Sequence, residues 1–163
     1  MRTIRSLITQ GIIYAMRDPN NSGEYATYAS RQPQPTMRVG FDDFGSDPDI
    51  REGRKGLLLH ECIHAMQDNR NALWMRVDTA EAAAYTAQCL FHRACGRTQR
   101  ELTGLVASAW EATERILQSR QRSVAENDIP RLMTAIRVHQ QYANEFDRTG
   151  RYNGVECTCI SYC

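Results

Sequence analysis

The sequence predicts an α+β fold that is mostly helical, with a small N-terminal sheet and about four helices. Apolar residues recur at helical spacing from residue 56 onward, whereas residues 1–55 are rich in proline, glycine and other turn formers. The chain has 163 residues, enough for one domain with a substantial core and too few for two. We expect a single domain over residues 1–150, followed by an irregular cysteine-rich tail over residues 151–163.

The N-terminal part predicts one short helix and one short strand. Thr3–Met16 has the pattern of a short helix, and the turn-rich and proline-rich stretch after it predicts loops. Thr36–Phe41 (TMRVGF) alternates, with Met37, Val39 and Phe41 on one face, which is typical of a strand. The turn-rich stretch FDDFGSDPD follows it.

The remainder of the chain predicts four helices. In Gly56–Gln67 the apolar residues cover nearly the whole circumference, which indicates a helix buried on most sides. Asp78–Cys95 is alanine-rich and helical in period, with Gly96 as its C-terminal stop. Thr98–Gln121 and Pro130–Phe146 complete the set, the last beginning with a proline that suits a first helical position.

The charge balance gives no reason to expect a nucleic-acid or membrane partner. Twenty Lys and Arg stand against nineteen Asp and Glu, so the net charge is +1. No apolar run approaches the ~20 residues that span a bilayer, and no signal peptide with a cleavage site is recognisable. We therefore expect a soluble protein that is cytoplasmic or exported by a non-classical route.

The six cysteines are unevenly distributed, with three in the last seven residues. This clustering is unlike the disulfide framework of a small secreted fold, so a reducing compartment is favoured. Cys157, Cys159 and Cys163 could bind a soft metal, form disulfides or have no particular role. They lack the paired C-x-x-C spacing and the fourth ligand of a zinc ribbon.

One short motif indicates the chemistry, because HECIH has the form H-E-x-x-H inside the first long helix. His60 and His64 are displaced by ~40° around the helix and about one turn along it, so both imidazoles can bind one ion. Zinc is the natural candidate. Glu61 lies ~100° from His60, where its carboxylate can act as general base on a metal-bound water. Cys62 lies ~200° from His60 and should face the core.

The residues around the motif are uncharged, unlike those of a surface helix: Leu57, Leu58, Leu59, Ile63, Ala65 and Met66. Burial of two imidazoles and a carboxylate without partners costs several kcal/mol, so an ion or a dense hydrogen-bond network must offset that cost. The alternative to a metal site is a pair of core histidines that are satisfied by other side chains.

A catalytic zinc site usually has three protein ligands and a water, so a third ligand is needed from among Asp68, Asp78, Glu81 and His92. Asp68 lies about two turns from His60 on the same helix, where it is better placed to support the site or to cap the helix end. Glu81 opens the alanine-rich helix, where its charge contrasts with its neighbours, and it is our choice. His92 lies ~16 Å further along that helix, too far to share an ion with Glu81, and should be a partly buried or surface histidine.

Two further residues of the alanine-rich helix could assist the site. Tyr85, one turn after Glu81, could hydrogen-bond the ligand shell or an oxyanion as a catalytic residue, or could be a core tyrosine. Asp78 could be a helix N-cap, or could accept a hydrogen bond from the second ring nitrogen of a ligand histidine.

An H-E-x-x-H motif on a buried helix, followed by a second helix with a glutamate, resembles the gluzincin division of zinc metallopeptidases. LHECIHAMQD followed by TAEAAAYTAQCLF is similar to small bacterial or phage HExxH proteins in which a glutamate opens a helix of the form E-A-x-A-Y. This resemblance covers Thr36–Gly96. It implies a zincin-like core, a Zn²⁺ ion held by His60, His64 and Glu81, and Glu61 as general base.

The activity that this resemblance implies is hydrolysis of peptide bonds in a peptide or protein substrate. A metal-activated water would attack the carbonyl, with Glu61 taking its proton and returning it to the leaving nitrogen. In such folds the edge of the sheet pairs with an extended substrate, and Thr36–Phe41 is the strand expected there. The alternatives are a non-catalytic zinc-stabilised helical module that binds or regulates a partner, and a zinc hydrolase of a non-peptide amide.

Overall fold

The computed structural model is α+β and mostly helical, which confirms the predicted fold class. It describes residues 2–18, 25–29, 35–69, 77–99, 104–118, 128–138 and 157–160. In chain order the elements are α1 (Arg2–Thr9), β1 (Tyr14–Arg17), β2 (Tyr25–Ala29), β3 (Thr36–Val39), α2 (Pro48–Asn69), α3 (Val77–Ala94), α4 (Gly104–Gln118), α5 (Asp128–Val138) and β4 (Cys157–Ile160).

These elements form two compact units. The sequence, by contrast, predicts one domain over residues 1–150. Unit 1 comprises residues 1–74 and 156–162 and contains α1, α2 and the four strands. Unit 2 comprises residues 75–155 and residue 163 and contains α3, α4 and α5. Within the predicted irregular tail, residues 157–160 form β4, because they pair with β2 in unit 1. The rest of that tail lies outside the described residues.

The first helix is shorter than the predicted Thr3–Met16, because the chain reverses at Gly11. Gly11 has a φ of +70°, a left-handed conformation that favours glycine. The amide of Ile12 donates to the carbonyl of Leu7 at 2.9 Å, the long hydrogen bond of a Schellman motif. The helix therefore ends at Thr9, and the chain continues into β1.

The sheet has the strand order β1-β3-β2-β4. β3 is parallel to β1 and antiparallel to β2, and β2 is also antiparallel to β4. The predicted strand Thr36–Phe41 is confirmed over Thr36–Val39, but its expected place at the edge of the sheet is wrong, because β1 and β2 flank it on both sides. Of the described strands, β1 and β4 occupy the edges.

Helix α2 begins eight residues before the predicted Gly56, at Pro48. The carboxylate of Asp47 caps it, accepting hydrogen bonds from the amides of Asp49 at 2.8 Å and Ile50 at 3.3 Å. An aspartate at the N-cap followed by a proline at the first helical position is a helix-start signal that overrides the two glycines further along.

The core of unit 1 lies where α1 and one face of α2 meet the sheet. It consists of Ile4, Leu7, Ile13, Tyr28, Met37, Cys62 and Ala65, with Ile8, Leu58 and Met66 packed against it. Near the end of α2, the hydroxyl of Tyr28 donates to Asp68 Oδ2 at 2.7 Å and ties β2 to the helix. Burial, and secondly this hydrogen bond, raise the pKa of Tyr28 well above its usual value, so the hydroxyl stays protonated.

Unit 2 consists of three helices that pack on one another, and an ion pair links the first to the last. The guanidinium of Arg137 on α5 donates from Nε to Asp78 Oδ2 at 2.7 Å, and Asp78 is fully buried.

α3 stops at the predicted Gly96, whose φ of +85° is left-handed. α4 and α5 confirm the third and fourth predicted helices over shorter spans, although residues 139–146 of the latter lie outside the described part.

No helix in the described parts of the chain combines the length and the apolar character that crossing a membrane requires. The longest, α2, instead carries a central H-E-x-x-H motif and several charged residues in its first half. Its buried residues include His60, Glu61, Cys62 and His64, and no residue of the predicted span 56–67 is exposed, so the prediction of a helix that is buried on most sides is confirmed.

Replacement of Asp47 by alanine should lower the free energy of unfolding by about 1 kcal/mol, because two amides at the start of α2 lose their acceptor. Asp47→Asn keeps an acceptor oxygen and should lose much less. Urea unfolding followed by far-UV circular dichroism measures both variants. Equal losses in the two would show that Asp47 does not cap the helix through its side chain.

Candidate metal centre

The two histidines of the motif lie side by side on α2 with their rings converging. His60 is fully buried and His64 is nearly so. Their Nε2 atoms are 3.1 Å apart, and their ring centroids are 4.9 Å apart. This is the arrangement that a spacing of four residues on a helix predicts, because one turn separates the two side chains.

An Nε2–Nε2 distance of 3.1 Å is consistent with a metal-bound pair and with a hydrogen-bonded pair that holds no metal. Two nitrogens bound to one tetrahedral zinc at about 2.0–2.1 Å stand about 3.3–3.4 Å apart. In the absence of an ion, one ring can donate its Nε2 proton to the other ring. The pair therefore needs little movement to bind a metal, since each ring already presents the required atom.

Gln67 orients the second histidine. The Nδ1 atom of His64 is 3.1 Å from Gln67 Oε1, so Nδ1–H donates and the Nε2 atom carries the lone pair. A hydrogen bond of this kind to the second ring nitrogen fixes the tautomer that a metal requires. Gln67 is not part of the H-E-x-x-H motif, and the signal for its role in the sequence is its position three residues after His64 on the same helix face.

Glu61 and Cys62 lie between the two histidines, and both are buried. Glu61 is fully buried beside His60. Cys62 faces the core of unit 1 and carries a free thiol. Burial, and secondly the charge of Glu61, raise the pKa of Cys62 to about 11, so the thiol is protonated at neutral pH. Cys62 is therefore a core residue and not a thiolate ligand.

Glu81 joins the two histidines as the third group with ligand chemistry. It lies on α3 and is 1% exposed, which is exceptional for a carboxylate on an alanine-rich helix. Together with the two imidazoles, its carboxylate makes a donor set that could hold a metal ion. The sequence predicts Glu81 as the third metal ligand, because its charge contrasts with its apolar neighbours.

The other residues weighed as ligands have different surroundings. Asp68 accepts the hydrogen bond from Tyr28 at the end of α2, which supports the position of the helix. Asp78 lies in the first turn of α3, where Arg137 neutralises it. His92 is buried near the end of α3, with its ring edge-on to a neighbouring phenylalanine at 5.7 Å. Tyr85 is buried one turn after Glu81, as the spacing predicts.

Comparison of the chain with protein-family models, with curated proteins and with solved structures gave no match. The resemblance to gluzincins thus stays a prediction that rests on the motif and on the choice of Glu81. The donor set itself fits zinc, because two imidazoles and a carboxylate are what this ion takes in sites with an open fourth position.

Replacement of Gln67 by alanine should weaken zinc binding by about 10–100-fold, because His64 loses the acceptor that fixes its tautomer. Gln67→Glu keeps an acceptor oxygen and should bind zinc at least as tightly as the original chain. Competition with a chromophoric chelator measures the affinities, and Gln118→Ala, at an exposed position, is the control. An unchanged affinity in Gln67→Ala would show that this hydrogen bond does not prepare a ligand.

Proposed function

We propose that the protein is a zinc-dependent metallopeptidase that hydrolyses peptide bonds. In this proposal His60, His64 and Glu81 are the zinc ligands and Glu61 is the general base. The observation that supports it most directly is the convergence of the two Nε2 atoms on α2, and the buried Glu81 carboxylate has the chemistry of the third ligand. Three protein ligands leave a fourth position for water, which distinguishes catalytic zinc sites from structural ones.

Each residue of the centre has a separate task in the proposed reaction. Zinc, when bound, supplies a Lewis acid that lowers the pKa of water and polarises a carbonyl. Glu61 takes the proton of the attacking water and passes it to the leaving nitrogen, so one carboxylate serves both halves of the reaction. Gln67 keeps the His64 tautomer fixed throughout. Tyr85 could donate its hydroxyl proton toward the developing oxyanion.

The substrate class follows from the charges and from the ligand chemistry together. A net charge of +1 offers no field to attract nucleic acid or an anionic membrane surface, so we propose a peptide or protein substrate. A carboxylate base one residue after the first ligand suits amide hydrolysis, because the leaving nitrogen must be protonated as the bond breaks.

A second candidate function is favoured by burial. His60 and Glu61 are both 0% exposed, whereas a catalytic base must reach a substrate and a water. A zinc ion held by this cluster would then stabilise the fold, and the protein would bind or regulate a partner without catalysis. The two functions share the metal and differ in the role of Glu61.

Replacement of Glu61 by glutamine separates these two functions. If the protein is a peptidase, Glu61→Gln should lower peptide cleavage by about 10²–10⁴-fold while zinc stays bound, because general acid–base catalysis contributes that much. The assay uses the zinc-loaded full chain on a library of fluorescence-quenched peptides, with zinc measured by mass spectrometry. Glu52→Gln, on the same helix before the motif, is the matched control and should keep full activity.

The remaining outcomes are equally specific. Zinc binding that raises the thermal midpoint, with no peptide cleaved by the original chain, would favour the non-catalytic module and reject the peptidase. Loss of one zinc per chain in His60→Ala is expected under both functions. Unchanged zinc content in that variant would reject both, because the metal would then lie elsewhere.

A further inference from the structure

A cavity in the described part of unit 1 is lined by residues other than the proposed metal ligands. Its volume is about 700 Å³, within the roughly 300–1,000 Å³ of small-molecule sites. Its walls come from four elements of the unit and are mostly apolar: Ile4 and Ile8 of α1, Met16 of β1, Met37 of β3, and Leu58 and Cys62 of α2. The described residues that line it all belong to unit 1.

The mouth of the cavity is open and hydrophobic. Met16 on β1 is 39% exposed and Phe44 after β3 is 36% exposed, although both side chains are apolar. Phe44 also packs against the ring of Phe41, which lines the same cavity. An exposed apolar mouth that leads to an apolar interior is typical of a site that takes an apolar ligand from water.

The described residues of the lining include two arginines and two aspartates. Arg17 pairs with Asp42 at 2.5 Å, and Arg54 pairs with Asp43 at 3.2 Å, so both acidic groups of the lining are neutralised. Lys55 adds a further cation 5.9 Å from the ring of Phe44.

Arg5 is the remaining charged residue among the described residues of the lining. It lies on the exposed face of α1, and its guanidinium has no ion pair with any residue in the part of the chain that the structure describes. The rim therefore has a cation available for an anionic group, next to an apolar interior.

We propose that this cavity binds an amphipathic monocarboxylate of the fatty-acid type. The acyl chain would occupy the apolar interior, and the carboxylate would pair with Arg5 at the rim. A neutral apolar ligand would leave Arg5 unused, and the guanidinium of Arg5 would repel a cationic head. The site is separate from the metal centre, because it lies against the Leu58 and Cys62 face of α2.

Titration of the full chain with dodecanoate tests the proposal, with methyl dodecanoate as the uncharged counterpart. Arg5→Gln should weaken dodecanoate binding by about tenfold and leave the ester unchanged, because only the carboxylate uses the guanidinium. Arg51→Gln, which removes a cation from α2 outside the cavity, should leave both ligands unchanged. Zinc content should be the same in all variants.

A second variant fills the cavity instead of removing the charge. Ala15 lines it from the exposed strand β1, so Ala15→Trp places an aromatic side chain in the interior at a position where strands tolerate one. Binding of both ligands should then be lost, while circular dichroism stays unchanged.

Four results would overturn the proposal, and the first three concern binding. They are the absence of saturable dodecanoate binding to the original chain, unchanged binding in Ala15→Trp, and an equal loss of acid and ester in Arg5→Gln. A dimer in sedimentation that Ala15→Trp dissociates would also overturn it, since the cavity would then be an interface between copies of the chain.

Discussion

Cys62 and Ala65 lie in the apolar core that α2 shares with α1 and the sheet, and their burial fixes the rotation of this helix about its axis. Because a helix distributes its side chains around the axis in a set order, the same rotation determines where His60 and His64 point. The imidazoles lie away from the Cys62 face, and the ligand pair is thus positioned by hydrophobic packing that involves neither histidine.

The same helix also separates two chemically different environments. One face carries the convergent Nε2 atoms and the carboxamide of Gln67, which orients one of them. The other face contributes Leu58 and Cys62 to the apolar cavity. The proposed metal centre and the proposed fatty-acid site share this scaffold without sharing a side chain, so each can be altered separately.

The elements that the sequence predicts best are long segments with periodic apolar residues and segments with a clear helix-start or helix-stop residue. The end of α3 at Gly96 followed from a residue that tolerates a left-handed backbone. Tyr25–Ala29 was missed because all five of its residues are buried, so it lacks the alternation that marks a half-buried strand. Helix α2 begins before the apolar pattern that predicts it, because the capping carboxylate of Asp47 precedes the first periodic apolar residues.

By itself the sequence determined the pairing of the two histidines and the position of Glu61 about 100° around the helix from His60, since spacing along a helix is a local property. It also singled out Glu81, through the contrast of one charge with an alanine-rich helix. Only the tertiary structure decided that β3 is interior, that residues 157–160 complete the sheet, and that a cavity opens beside β1. These depend on contacts between segments far apart in the chain, which local periodicity does not encode.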